Sequence, residues 1–241
     1  MIPTTKTQIT FPDLGSLKEY DFLSSAERSE KCLLQLEALV KESEEKIQRS
    51  IEAFRSATKN SLTNITVEAE KLTGRATKNR AASIRIEEAK ANEPKRLAIL
   101  QELLAIEAEA KVMAPVIYSP KQLLMRMTLE SDQRRNYLKQ IEGANTEELN
   151  AYAILAVGEK NMQLASALCQ HVGPLPKDQQ PGFTANALAE IFVAERFQAI
   201  QEALEKIKRN PPMAVSIDRA YRTGERESVA ASLTRAAARL Q

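Results

Sequence analysis

Tryptophan is absent, glycine occurs only 7 times in 241 residues, and aromatic side chains make up 5% of the chain. Sheets draw on aromatic and β-branched strand residues joined by glycine-bearing turns, so this composition argues against all-β and doubly wound α/β folds. The glycines also stand singly. Neither GxGxxG nor GxxxxGK(S/T) occurs, and without closely spaced glycines the backbone amides do not converge on a nucleotide phosphate.

Histidine is scarcer still. His171 is the only one, which rules out a two-histidine metal site within one chain and makes this residue the sole base for a serine or cysteine triad. Cys169 is the nearest nucleophile, but two positions apart on a helix the side chains diverge by about 200°. The two cysteines, Cys32 and Cys169, match no metal or redox spacing and read as free thiols of a reducing compartment. Adjacent acids such as Glu44 and Glu45, or Glu87 and Glu88, diverge on a helix, and Glu147 with Glu148 suits a helix N-terminus. No catalytic, cofactor-binding or metal-ligating residue is therefore expected, and neither a cofactor nor a small-molecule substrate.

Neither sign of charge dominates. Lys and Arg number 34 against 32 Asp and Glu, so no whole-molecule field holds a polyanion. No run approaches the roughly 18 uncharged apolar residues of a membrane span, and MIPTTKTQIT lacks the apolar core of a secretory leader. The expectation is a soluble protein made in the cytoplasm, without membrane insertion.

What the chain holds in quantity is Ala, Leu, Glu, Lys, Arg and Gln, the residues of long helices, and the reading is all-α. Breakers divide it. Residues 1–24 form an extended arm interrupted by Pro3, Pro12 and Gly15, with Ile9, Phe11, Leu14, Leu17 and Phe22 as its apolar contacts. Residues 25–114 form a long helical hairpin. Its first helix is capped by Ser24 or Ser25 and runs to Gly74, with a coiled-coil-like seam through Leu36, Val40, Ile47, Phe54 and Leu72 that shifts register between Ile47 and Ile51. A second helix opens at Asn92, Glu93 and Pro94 and offers Leu97, Leu100 and Leu104 to that seam or to another subunit.

Residues 115–173 form a compact subdomain of short helices, with starts at Ser119–Pro120 and at Asn145 or Thr146, and stops at Gly143, Gly158 and Gly173. Pro174, Pro176 and Pro181 make 174–183 a linker and domain boundary. Residues 184–241 follow as C-terminal helices: Thr184 caps one that Pro211 and Pro212 close, Ser216 caps the next, and Gly224 precedes a last helix with Val229, Leu233, Ala236 and Leu240 on one face.

Two basic zones stand out on this near-neutral chain: Arg75, Lys78 and Arg80, and the tail carrying Arg219, Arg222, Arg235 and Arg239. They are candidate contacts to phosphate or to an acidic partner, and the scarcity of nearby aromatics limits any DNA contact to weak, non-specific backbone binding. The function expected is that of a non-enzymatic structural subunit that meets copies of itself and other proteins of an assembly. Rigid helices with an extended arm suggest a tailed-phage virion component, such as a neck, connector or head-completion protein, incorporated into the virion. The alternatives are a cytoplasmic nucleic-acid-associated helical protein and a coiled-coil adaptor or chaperone.

Overall fold

The computed structural model describes residues 21–61, 67–176 and 179–224. It is 86% helical, with no strand among the described residues. The helices are α1 Phe22–Ser61, α2 Val67–Ala91, α3 Glu93–Met113, α4 Pro120–Met127, α5 Asp132–Ile141, α6 Thr146–Gly158, α7 Met162–Val172 and α8 Ala185–Thr223, with a 3-10 turn at Ala114–Ile117. The chain forms two compact units. Among the described residues, one joins Ser24–Ala108 to 205–224, and the other joins Glu109–Leu204 to 21–23.

The first unit is the expected hairpin with a third helix laid on it. Arg28 on α1 pairs with Glu102 on α3, Ser43 meets Asn92, and Ile47 and Ile51 pack with Ile84 and Ala89 of α2. Positions rise along α1 as they fall along α3 and α2, which makes the arms antiparallel. The C-terminal part of α8 runs parallel to α1, with Lys206 near Glu30, Asn210 on Ser29, Ile217 beside Leu36 and Tyr221 beside Ile47.

Several boundaries differ from the sequence reading. Asp21 caps α1 in place of Ser24 or Ser25: its Oδ1 accepts from the Leu23 N–H at 2.9 Å, so the helix starts earlier. Gly74 lies inside α2 and ends nothing; one interior glycine costs about 1 kcal/mol, which a long packed helix absorbs. Pro211 and Pro212 likewise lie inside α8, and Ser216 caps no new helix. Ile207 and Ala214, on either side of the prolines, are fully buried, and Asn210 donates to Ser29 Oγ at 3.0 Å. Packing thus outweighs the local cost of lost helical hydrogen bonds.

The seam on α1 is where the spacing put it: Leu36 and Ile47 are buried, with Val40 and Phe54 partly so. Leu72 is exposed. On α3 the phase is shifted. Leu103 and Ile106 are buried with Arg96 and Leu100 is partly buried, whereas Leu97 and Leu104 are 47% and 52% exposed. Apolar residues surround this helix, and the true inner stripe was masked by the charged Arg96 at its head.

In the second unit α7 is the hub, packed on α4, α5 and α6. Its Leu164, Ala165, Ala167, Leu168 and Cys169 are almost wholly buried, as expected of a helix enclosed on several sides. The expected caps form. Ser119 accepts from the Gln122 N–H, Asn145 and Glu148 make a reciprocal capping box, and Thr184 accepts from the Ala187 N–H. Ser131 and Asn161 cap α5 and α7. The described residues of the proline-bearing stretch, 174–176 and 179–183, belong to this unit and mark no boundary between units: Pro181 is buried and the Gly182 N–H donates to Asn150 Oδ1 on α6 at 3.1 Å.

Truncating the seam tests this packing. Leu36→Ala is expected to cost about 2–5 kcal/mol in denaturant unfolding, whereas Leu104→Ala changes stability by no more than about 0.5 kcal/mol. Equal costs at the two positions would mean that the α3 phase is wrong.

Candidate functional site

The hairpin unit buries a polar network that spans its helices. Arg96 on α3 forms an ion pair with Asp218 on α8, the two side chains being 4% and 8% exposed. Its other terminal nitrogen donates to the Ala89 carbonyl in the last turn of α2 at 2.9 Å, and the guanidinium lies 5.5 Å from the Tyr221 ring centroid. Asp218 also accepts from Arg222 Nε at 2.9 Å, and Arg85 donates to the Tyr221 carbonyl at 3.2 Å. Gly224 follows with φ +69°, a left-handed conformation that favours glycine, with the flexible Arg85 side chain beside it. This arrangement fixes the helices of the unit against one another.

Arg75, Lys78 and Arg80 are exposed on α2, and none forms an ion pair with a described residue. Arg219 is exposed as well. Arg222 is tied to Asp218, so it is a weaker candidate for an outside partner than its position in the tail suggested. Arg235 and Arg239 lie outside the described residues, as do Ile9, Phe11, Leu14 and Leu17 of the arm.

The short-helix unit contains a cleft of about 410 Å³ that the sequence reading missed. Phe22, the one described member of the arm's apolar set, lines it with Met113, Ile117, Leu123 and Ile200. Arg126, Glu130 and Arg196 also line it, so the wall is mixed and not purely apolar. Arg126 Nη2 is buried without a hydrogen-bond partner, and burial pushes the guanidinium pKa down with no carboxylate opposing the shift. A sequence signal existed. Arg126 sits on the short helix α4 beside the apolar pair Leu123 and Leu124, but helical spacing alone does not tell a snorkelling arginine from one drawn into a cleft.

Cys169 and His171 do not come together. Cys169 is fully buried and its Sγ donates to the Ala185 carbonyl at 3.1 Å, while His171 is half-buried in the last turn of α7. Burial pushes the Cys169 thiol up to about 12. Cys32 is buried too, and burial followed by the nearby Glu102 raises its pKa. Arg134, buried beside α7, donates to the Met125 carbonyl at the end of α4 and to Gln170, and burial lowers its pKa. Among the described residues no cluster of His, Cys, Asp or Glu has the grouping of a metal site, and no helix is long and apolar enough to cross a membrane.

No protein-family model matches the chain, and neither a curated protein nor a solved structure matches it.

Three measurements test these placements. Arg96→Ala is expected to cost about 3–5 kcal/mol because it leaves Asp218 buried with only an exposed partner, whereas Arg96→Met with Asp218→Leu is close to neutral. Tyr221→Phe keeps the ring and removes a buried hydroxyl that has no hydrogen-bond partner, so it leaves stability unchanged or raised. The Cys169 thiol has a folded pKa raised from the ordinary 9.0 to about 12, so it stabilises the fold below pH 9 and that contribution is lost as pH rises towards 12. Urea titrations should show a steeper alkaline loss for the native chain than for Cys169→Ala; parallel curves would place the thiol in a wetter setting.

Proposed function

We propose that the chain is a non-enzymatic structural subunit of a larger protein assembly, and among such assemblies a tailed-phage virion component of the neck, connector or head-completion kind. The observation that carries the assembly reading is the number of large apolar side chains a single copy leaves in water. Leu34, Leu97 and Leu104 are exposed on the hairpin unit, and Ile154 and Leu155 on α6 of the other. Ile154 is 75% exposed and forms a stripe with Ala151, Leu155 and Gly158 at the spacing of one helical face. A monomer that ends its life in solution has little use for such patches, and partner surfaces cover them. The phage assignment rests on architectural analogy: ring-forming subunits combine stiff helices with arms that reach neighbours.

The exposed, unpaired Arg75, Lys78 and Arg80 favour a second reading, contact with nucleic-acid phosphates. Salt separates the two. Phosphate contacts release counterions, so affinity falls linearly in log[salt], while an apolar interface holds its strength and loses mainly association rate.

Native mass measurement is the direct test. The expected result is an oligomer that Leu97→Asp with Leu104→Asp dissociates while leaving the monomer's unfolding midpoint within about 3 °C of the parent, since both positions are exposed. Duplex DNA is expected to bind weakly and without sequence preference. A monomer at high concentration would overturn the assembly reading, and tight sequence-selective DNA binding at physiological salt would put the second reading first.

A further inference from the structure

We propose that one side of the hairpin unit, carrying Arg55 on α1, Arg75 and Lys78 on α2 and Arg219 on α8, is a docking face for the phosphate backbone of duplex DNA. It rests on the second reading above and names the surface and the number of phosphates met. Between Gln48 and Thr58 on α1 and between Leu72 and Ile86 on α2 the cations are Arg49, Arg55, Arg75, Lys78, Arg80 and Arg85, and Glu52 is the one acid. The whole chain carries only +2, so its charge is unevenly spread and a polyanion is drawn to these stretches.

Arg85 and Glu44 stand 3.9 Å apart and mark one side of the two helices. Lys78 lies seven positions from Arg85 and Arg55 eleven from Glu44, so each returns to that side within about 20°. Arg75 sits nearly one turn beyond Lys78. Along the helices Arg75 is about 15 Å past Arg85 and Arg55 about 16 Å past Glu44, which sets the two opposite each other because the arms are antiparallel. The end of α8 lies on the same side: Arg85 donates to its Tyr221 carbonyl at 3.2 Å, and Arg219, two positions from the buried Ile217 and Tyr221, faces away from the hairpin. All four proposed contacts are exposed, and none pairs with a described acid. Arg85 is engaged by Tyr221 and Glu44, and Arg222 by Asp218, so neither counts. Arg80 lies about 200° from Lys78, and Arg49 about 120° from Arg55, off this side.

Width selects the partner. Packed helix axes lie roughly 8–10 Å apart, so a ligand that meets all four cations needs charge across that width as well as along it. A duplex provides it, with phosphate rows on both sides of grooves about 6 and 12 Å wide, whereas an acidic strand or helix presents a single narrow row. Tyr221 is buried and Phe54 partly so, which leaves no exposed ring here for base stacking and confines the contacts to the backbone.

The test is the salt dependence with which the full chain binds a short duplex of mixed sequence. Four phosphate contacts make affinity fall about 100-fold between roughly 50 and 200 mM salt. Arg55→Ala with Lys78→Ala should cut that fall to about tenfold, while Arg49→Ala with Arg80→Ala, the same change in charge off the face, should leave it unaltered. All four positions are exposed and alanine favours helix, and unfolding midpoints check that both pairs stay folded. If a pair unfolds, Lys78→Ala alone decides, with a log–log slope expected to be shallower by about 0.9. No duplex binding at the lower salt overturns the proposal and the second reading together. Equal losses in the two pairs, or no loss in either, overturn the face and leave that reading standing. Polyglutamate bound as tightly as the duplex gives the face to an acidic protein and also overturns the proposal.

Discussion

Helix C-termini leave carbonyl groups without partners, and in this protein buried and partly buried arginines supply the missing donors. Arg96 bonds the Ala89 carbonyl near the end of α2, Arg85 the Tyr221 carbonyl near the end of α8, and Arg134 the Met125 carbonyl near the end of α4. Each guanidinium meets the negative end of a helix dipole, which offsets part of the cost of burying the charge. Arg96 needs more than that, because it lies between three helices, and Asp218 completes its compensation. The pair permits one alignment only: sliding α8 by a turn along the hairpin would strand a buried cation and a buried carboxylate together. Ser29 with Asn210 and Ser43 with Asn92 repeat the device with neutral groups, so polar contacts alternate with apolar clusters along the bundle and each fixes the register of its neighbours.

Alanine and serine at buried positions let the helices approach closely, but they leave thin cores. Ser29 and Ser43 are both essentially inaccessible, and α7 buries Ala165 and Ala167. Thin cores enclose few large side chains, so leucines and isoleucines beyond those needed inside remain on outer faces. Leu97 and Leu104 on α3 and Ile154 on α6 follow from this economy, which links the composition of the chain to the surfaces a partner would cover.

The helices and their ends were largely legible because caps and breakers act locally. Ser119, Asn145 and Thr184 bond amides two or three residues away, and Gly224 supplies a left-handed backbone that few other residues adopt. What sequence could not decide was set by distant contacts. Pro211 and Pro212 read as a stop, yet burial of Ile207, and of Ala214 against α1, carries the helix through them. The inner face of α3 was misread because Arg96 looked like a surface residue, and its partner Asp218 lies more than a hundred positions away. The loop at 174–183 read as a linker from its prolines, while the bond from Gly182 to Asn150 that pins it is invisible in composition.

Arg126 is only partly buried, unlike Arg96 and Arg134. The other two have acceptors for their terminal nitrogens from carbonyls, an amide or a carboxylate within the fold. Its Nη2 is buried without an acceptor, and the side chain stands in a cleft instead of between packed helices. A buried nitrogen without an acceptor is not peculiar to it, since the Nε atoms of Arg96 and Arg134 are buried in the same way, and in each case the packing around the side chain offsets the loss.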